Sequence, residues 1–329
     1  MSEYTIDNRA RLLLLASFLY EKSDENHGLS IDDIRIYLES VGIPVNRKTL
    51  YKDIQCLNEL GHDIVMEKIG RSVYYHIGAR RFELAELRLM IDAVQASHFL
   101  TEQKTKDLIR KLQSLASDYD SKGLENNVYI SGQRKAINKS IFYLVNDLHQ
   151  AIRDDHKVRF QYFQWDVNKK AELRHEGAFY DVSPWAMLFD HENYYMVGYD
   201  NRIGKMHHYR VDKIKNLSIV QEPREGKAYF DSYDMQAFTQ STFGMFHGNI
   251  EHVRIRASYD LAGVMIDRFG RKIEIKDNKD GTFDFEVDVR VSDQFLGWII
   301  AVGENVRILS PESVIDRMKE IAKRLKIIY

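Results

Sequence analysis

The chain has 329 residues, 44% hydrophobic and 29% charged, with a net charge of −2; this length calls for two or three cores, and the composition excludes a fibrous or largely disordered chain. The longest early apolar run, LLLLASFLY between Arg11 and Glu21, is far short of the roughly 20 residues of a membrane span. No signal-peptide pattern appears, and the one cysteine, Cys56, excludes an internal disulfide or a thiolate zinc cluster, so a reducing cytoplasm is the expected location.

Residues 1–80 hold 10 Lys and Arg against 12 Asp and Glu, so bulk charge gives no support for nucleic-acid binding, which must be argued from local placement. Leu12, Leu15, Ala16 and Leu19 recur at helical spacing and predict a first helix, ended by the turn-rich SDENHG. Ser30 with Asp33 three residues on is a helix-start signal; Ile31, Ile34, Leu38 and Val41 form the buried stripe of a second helix, which Gly42 and Pro44 stop. Asn46 is placed to cap a third, NRKTLYKDIQCLNELG, with Leu50, Ile54 and Leu57 on one face and Arg47, Lys48, Tyr51, Lys52 and Gln55 on the other. IVMEK and SVYYHI then predict a hairpin that turns at Gly70. Three helices and a hairpin make the winged helix-turn-helix plan.

Residues 83–119 hold two amphipathic stretches, and a third runs from about Lys135 to Arg153. These read as a helical linker, either a dimerising element or an intramolecular bundle. From Val158 the period changes to two: VRFQY, AFYDVSPW, YYMVGY, HHYRVDKI and LSIV predict several short strands in a small barrel. Beyond His252, the strands VRIRA, KIEI, FDFEVDV and VRILS alternate with helices near Leu261–Phe269, Gln294–Val302 and Pro311–Leu325, a separate α+β unit. The expected division is a winged helix-turn-helix at 1–80, a helical linker at 81–153, a barrel at 154–222, a linker at 223–250 and an α+β extension at 251–329.

These parts, in this order, resemble the WYL-domain transcriptional regulators over essentially the whole chain. The run NRKTLYKDIQCLNELG is similar to the recognition helix of the family. The stretch VSPWAMLFDHENYYMVGYDNRIGKMHHYRVDKI resembles the family's strand-turn-strand signature, with Tyr194, Tyr195 and Met196 at the defining Trp-Tyr-Leu. Lys213 stands where arginine is usual, which loses a bidentate fork. LGWIIAVGENVRILSPESVIDRMKEIAKRL resembles the extension that follows WYL domains. The resemblance implies a multidomain α+β fold with an Sm/SH3-like small β-barrel, a homodimer and a nucleotide or nucleic-acid ligand at the WYL domain.

On the third helix, Asn46, Arg47, Lys48, Thr49, Tyr51 and Lys52 are the candidates to meet double-stranded operator DNA, with Arg71 at the hairpin tip reaching the flanking backbone. In the barrel, residues 202–215 carry Arg202, Lys205, Arg210, Lys213 and Lys215 with two histidines against one acid, Asp212. Ser183, Tyr195, His208, Arg210 and Lys213 are the candidate ligand residues: guanidinium, imidazole, hydroxyl and aromatic face together suit a nucleotide, oligonucleotide or other anion. No metal site, cofactor or membrane contact is expected, since strand alternation sends His207 and His208 to opposite faces. Neither a nucleophile elbow nor a glycine-rich phosphate loop is present, so no enzyme is expected. The expected function is a ligand-modulated DNA-binding regulator. The alternative is an accessory RNA- or single-stranded-DNA-binding protein that modulates a partner effector.

Overall fold

A computed structural model of the chain describes residues 10–124, 141–190, 192–232 and 248–329. The chain divides into two compact units, Met1–Tyr143 and Leu144–Tyr329.

In the first unit, α1 (Arg11–Lys22), α2 (Ile31–Ser40) and α3 (Arg47–Glu59) precede the hairpin β2 (Ile64–Ile69) and β3 (Ser72–Ile77). The helix starts are chemically defined. Ser30 and Asp33 form a reciprocal capping box at α2, and the Thr49 N–H donates to Asn46 Oδ1 at 2.9 Å at α3. Leu15, Leu19, Ile34, Leu38 and Leu50 are wholly buried together with Ile54, Leu57, Tyr75 and Ile77; each such aliphatic side chain contributes about 1.5–3 kcal/mol of hydrophobic stabilisation. The hairpin turns through Gly70 at φ +63°, the first of two residues between the paired Ile69 and Ser72, a position where glycine adopts the left-handed region without Cβ strain. A two-residue strand, β1 (Leu29–Ser30), adds to β3 and gives the order β1-β3-β2.

Two expected linker helices follow as α4 (Leu84–Ala96) and α5 (Glu102–Gln113), packed through Leu87, Ile91, Ile109 and Leu112. A short α6 (Asp118–Gly123) joins them. It ties back to the three-helix part through Ser117 Oγ, which donates to Asp24 Oδ2 at 2.6 Å, and through stacking of Tyr119 on His27. The third expected stretch is α7 (Ile141–Arg153); its anticipated portion from Lys135 to residue 140 lies outside the described residues.

In the second unit, β4 (His156–Trp165), β5 (Ala171–Leu173), β6 (Tyr180–Asp190), β7 (Asn193–Asp200) and β8 (Lys205–Arg210) run antiparallel in the order β5-β4-β6-β7-β8, with β9 (Ile214–Pro223) on β4. On a flat sheet β4 and β8 would stand about 14 Å apart. Yet the rings of Phe160 on β4 and Tyr209 on β8 lie 5.2 Å apart, and both meet Tyr180. The sheet is therefore curled around an aromatic core. The segment after β9 straps this sheet: the Trp185 indole donates to Glu225 O at 2.9 Å, and Phe230 of the short helix α8 (Lys227–Asp231) stacks on Trp185.

The structure corrects one element here. YRVDKI is not one strand: β8 ends at Arg210, Val211–Lys213 make a 3-10 turn, and β9 starts at Ile214. Tyr209 and Val211 keep the strand's spacing of two into the turn, and the next fully buried residue, Ile214, comes three positions later and restarts the pattern in the new strand.

The chain ends in β10 (Asn249–Ser258), α9 (Ala262–Phe269), β11 (Ile275–Asp277), β12 (Thr282–Val291), α10 (Asp293–Val302), β13 (Val306–Ser310) and α11 (Glu312–Ile328). The sheet order β11-β12-β10-β13 with this βαββαβ sequence is a split βαβ arrangement. Its core is Val253, Ile255, Ala257, Phe283, Phe285 and Val289 under Met265, Phe295, Leu296 and Val314. The expected strand KIEI lies two to three residues later than anticipated, at Ile275–Asp277.

Candidate nucleic-acid and ligand interfaces

On α3 the apolar residues Leu50, Ile54 and Leu57 face the core, so helical geometry turns Arg47, Lys48, Tyr51 and Lys52 outward, and all four are exposed. The two lysines differ from the arginine. Arg47 Nη2 donates to Asp32 Oδ2 at 2.5 Å, which raises the guanidinium's affinity for its proton and ties it to α2. Lys48, Lys52 and Arg71 have no carboxylate partner among the described residues. Asn46 and Thr49 hold the helix start together, and the Thr49 hydroxyl also donates to Asn46 Oδ1, at 3.1 Å. Arg71 stands exposed at the hairpin tip. Sequence reasoning missed Asp53, a buried acid on the core side of α3. It accepts from Arg11 Nε at 2.6 Å and Nη2 at 3.1 Å, which locks α3 to α1.

In the curled sheet, Tyr195 on β7 is in register with Arg210 on β8, so both side chains emerge from the same face. The Arg210 guanidinium is already engaged. Nε and Nη2 donate to Asp212 Oδ1 and Oδ2 at 2.9 and 3.0 Å, and Nη2 also donates to Asn193 Oδ1 at 2.8 Å. Lys213 Nζ lies 3.3 Å from the same Asp212 Oδ2. Burial pushes the Tyr195 hydroxyl up, with Arg210 pulling the other way. Tyr162, which accepts from the Arg210 backbone N–H at 3.1 Å, is pushed up to about 12 by burial, so both phenols stay neutral. The cluster is thus two cations around one carboxylate, bordered by neutral aromatic hydroxyls.

His208 is opposite Val197 on the same face of β8 as Arg210, two residues away. Ser183 is not brought to this group. It pairs with Tyr199, four residues along β7 from Tyr195, is fully buried, and accepts the Glu225 backbone N–H at 2.9 Å; its hydroxyl holds the strap. Asp181 is taken by Arg159 in a two-point pair at 2.6 and 3.1 Å.

Two family models match this chain: a WYL domain over residues 143–219 and a WCX domain over residues 249–326. The chain carries a WYL domain and a WCX domain. The expected family signature and its C-terminal extension are thus both present. No curated protein sequence matches the chain. Among solved structures it is similar to the Proteasome accessory factor B/C (PafBC) of Arthrobacter aurescens, at 16% identity and a TM-score of 0.27, over 94% of this chain and 46% of that one. The chain therefore spans about half the length of that protein.

Within the WYL domain the sequence reading also missed the role of Arg202. Its guanidinium donates to both oxygens of Asp200 at 3.2 and 2.9 Å and lies 3.7 Å from the centre of the Tyr180 ring, closing one end of the aromatic core. Tyr209 donates to the same carboxylate. Burial pushes the Asp200 carboxyl up, but the hydrogen bonds from Arg202 and Tyr209 outweigh it and hold it below the ordinary range. No spacing rule exposes this group, because Asp200 is the last residue of β7, next to a turn, where an acid reads as solvated.

The WCX domain has a polar sheet face opposite its core. His252, Arg254 and Arg256 on β10 pair in register with Asp288, Glu286 and Asp284 on β12. Asp284 is buried and accepts from Arg256 at 2.6 and 3.0 Å, from Arg254 at 2.7 Å and from Asn278 at 2.8 Å; the Arg256 contact dominates in holding its carboxyl far below the ordinary range. These charges satisfy one another across the strands. Among the described residues no group of three or more His, Cys, Asp or Glu is placed to hold a metal ion, and no helix is long and apolar enough to cross a membrane.

Proposed function

We propose that the chain is a DNA-binding transcription regulator whose WYL domain takes a nucleotide, oligonucleotide or related anionic ligand and thereby modulates operator binding. In this reading α1–α3 with the β2–β3 hairpin form a winged helix-turn-helix, and the curled sheet is an Sm/SH3-like small barrel. The observation that carries it is the outward face of α3, where Lys48, Tyr51 and Lys52 stand exposed opposite the buried Leu50–Ile54–Leu57 stripe, behind an Asn46-capped helix start. A recognition helix reads the major groove from its N-terminal turns while lysines and first-turn N–H groups hold phosphates. Arg71 on the wing adds a phosphate contact.

The ligand half of the reading rests on Arg210, Lys213 and Tyr195. A phosphate competes with Asp212 for the planar fork of Arg210, and the Tyr195 ring borders the same cations. The protein acts as a homodimer with two helices presented to half-sites about one helical turn apart, works in the cytoplasm, and needs no cofactor. This reading assigns no enzymatic activity to the chain, and it uses Ser183 and Asp181 structurally, through Glu225 and Arg159.

The test is binding of the purified protein to duplex fragments upstream of its own gene, with Lys48→Ala/Lys52→Ala beside the wild type. Sequence-selective binding that the double variant loses, with an unchanged melting temperature, supports the reading. Absence of duplex binding with oligonucleotide binding intact contradicts it in favour of an accessory nucleic-acid-binding protein.

A further inference from the structure

β4 ends in a pair of aromatic residues on the outer face of the curled sheet. Phe163 is buried, while Trp165 keeps 54% of its surface exposed, and the two rings meet edge to face at 5.3 Å. Two ammonium groups stand over them: Lys213 Nζ is 5.2 Å from the centre of each ring, and Lys215 Nζ is 4.9 Å from that of Phe163. Register explains the grouping, because Lys215 on β9 faces Gln161 on β4, and Gln161, Phe163 and Trp165 share one face at period two. An indole more than half exposed beside two cations presents a π-face and positive charge together, which suits a flat, anionic partner.

We propose that Trp165, Lys213 and Lys215 form a stacking platform for an unpaired base of a single-stranded polynucleotide, adjoining the Arg210 cluster through Lys213. The proposal rests on the reading of the Arg210 group as an anion site and extends it: one phosphate lies at Arg210, and the base of a neighbouring nucleotide stacks on Trp165 with its phosphate on Lys215. The link is physical, since the Lys213 ammonium that lies over both rings is also 3.3 Å from Asp212, the carboxylate held by Arg210. Among the described residues no carboxylate pairs with Lys215, so its charge is open to a phosphate. Base–aromatic stacking tolerates any base, because every base presents a π-face, while the lysines contribute a salt-dependent term. The ligand favoured by this surface is therefore longer than one nucleotide and is selected for being single-stranded rather than for its sequence.

The test measures binding of thymidine monophosphate and of the tetranucleotide dT4 to the full-length protein by titration calorimetry for the wild type, Trp165→Leu, Trp165→Phe, Lys215→Ala and Arg210→Lys, with tryptophan emission followed in addition for the wild type. The expected result is that dT4 binds at least about tenfold more tightly than the monophosphate and quenches emission, and that Trp165→Leu weakens dT4 by about tenfold to a hundredfold. The monophosphate is unaffected by that change, Trp165→Phe retains most of the dT4 affinity, and Lys215→Ala lowers the salt dependence of dT4 binding. If Arg210→Lys weakens both probes while Trp165→Leu leaves dT4 unchanged, the platform is wrong and the anion site stands. Equal weakening of both probes by Trp165→Leu also overturns a separate platform, by placing Trp165 within the mononucleotide site. If neither probe binds the wild type, the anion site itself fails and the platform with it.

Discussion

Asp53 and Asp284 show how a single carboxylate acts in two different settings. Asp53 lies between α3 and α1, with Arg11 its one cationic partner among the described residues, so Asp53→Ala takes the paired carboxylate from a guanidinium that is one-fifth exposed. The expected cost is about 2 kcal/mol, below that of a wholly buried pair, and a denaturant titration of the variant measures it. Asp200 and Asp284 each contribute to the pH dependence of stability. Both ionise at lower pH in the folded chain than the value near 4 of an unfolded carboxylate. The stability they lend is therefore fully present above that value and is lost as pH falls through their folded values. Asp284→Asn is expected to lower stability at neutral pH and to flatten its loss on acidification; melting temperatures at neutral pH and across the acid range, compared with the wild type, test this. Capping residues such as Asn46 and Ser30 were legible in the sequence because their partners lie three residues away. Asp53 was not, because Arg11 is 42 residues distant, and Ser183 read as a ligand residue because nothing local shows that Glu225 reaches back to it.

At the scale of elements, amphipathic helices and long strands followed from periodicity, whereas the two-residue β1 and three-residue β5 are too short to show a period. The turn at Val211–Lys213 was hidden because it is only three residues long and Val211 still keeps the spacing of two from Tyr209, so the break shows only in the three-residue step to Ile214. The strap after β9 is a tertiary feature that composition does not reveal, and Gly226 is its hinge. At φ +79°, with a Cβ that would fall 2.2 Å from Tyr199 Cγ, Gly226→Ala is expected to cost about 2 kcal/mol through strain and overpacking. Because the neighbouring Glu225 carbonyl accepts from Trp185, the same variant should shift tryptophan emission to longer wavelength. Gly70→Ala makes a useful contrast: φ is +63° but no atom lies within 4 Å of the added methyl, so only the backbone strain of about 1 kcal/mol applies. Its melting temperature should fall less than that of Gly226→Ala.

For the molecule as a whole, the proposed regulator couples a DNA-binding part in the first unit to an anion site in the second. The WYL and WCX domains were legible because YYMVGY, YRVDKI and the strand-helix alternation after His252 are dense local patterns. The pairing partners of their charges were not, since Arg254, Arg256 and Asp284 are joined only once β10 and β12 lie side by side. Coupling between the two sites makes a symmetric demand. A ligand that changes operator affinity by some factor must have its own affinity changed by operator by the same factor. The most direct measurement is the affinity of dT4 for the protein alone and for the protein saturated with its operator duplex, alongside the operator affinity with and without saturating dT4. The account predicts equal factors, several-fold or more, in both directions, and the loss of both in Arg210→Lys. Operator affinity that dT4 leaves unchanged, with dT4 bound equally well by free and operator-bound protein, would contradict it.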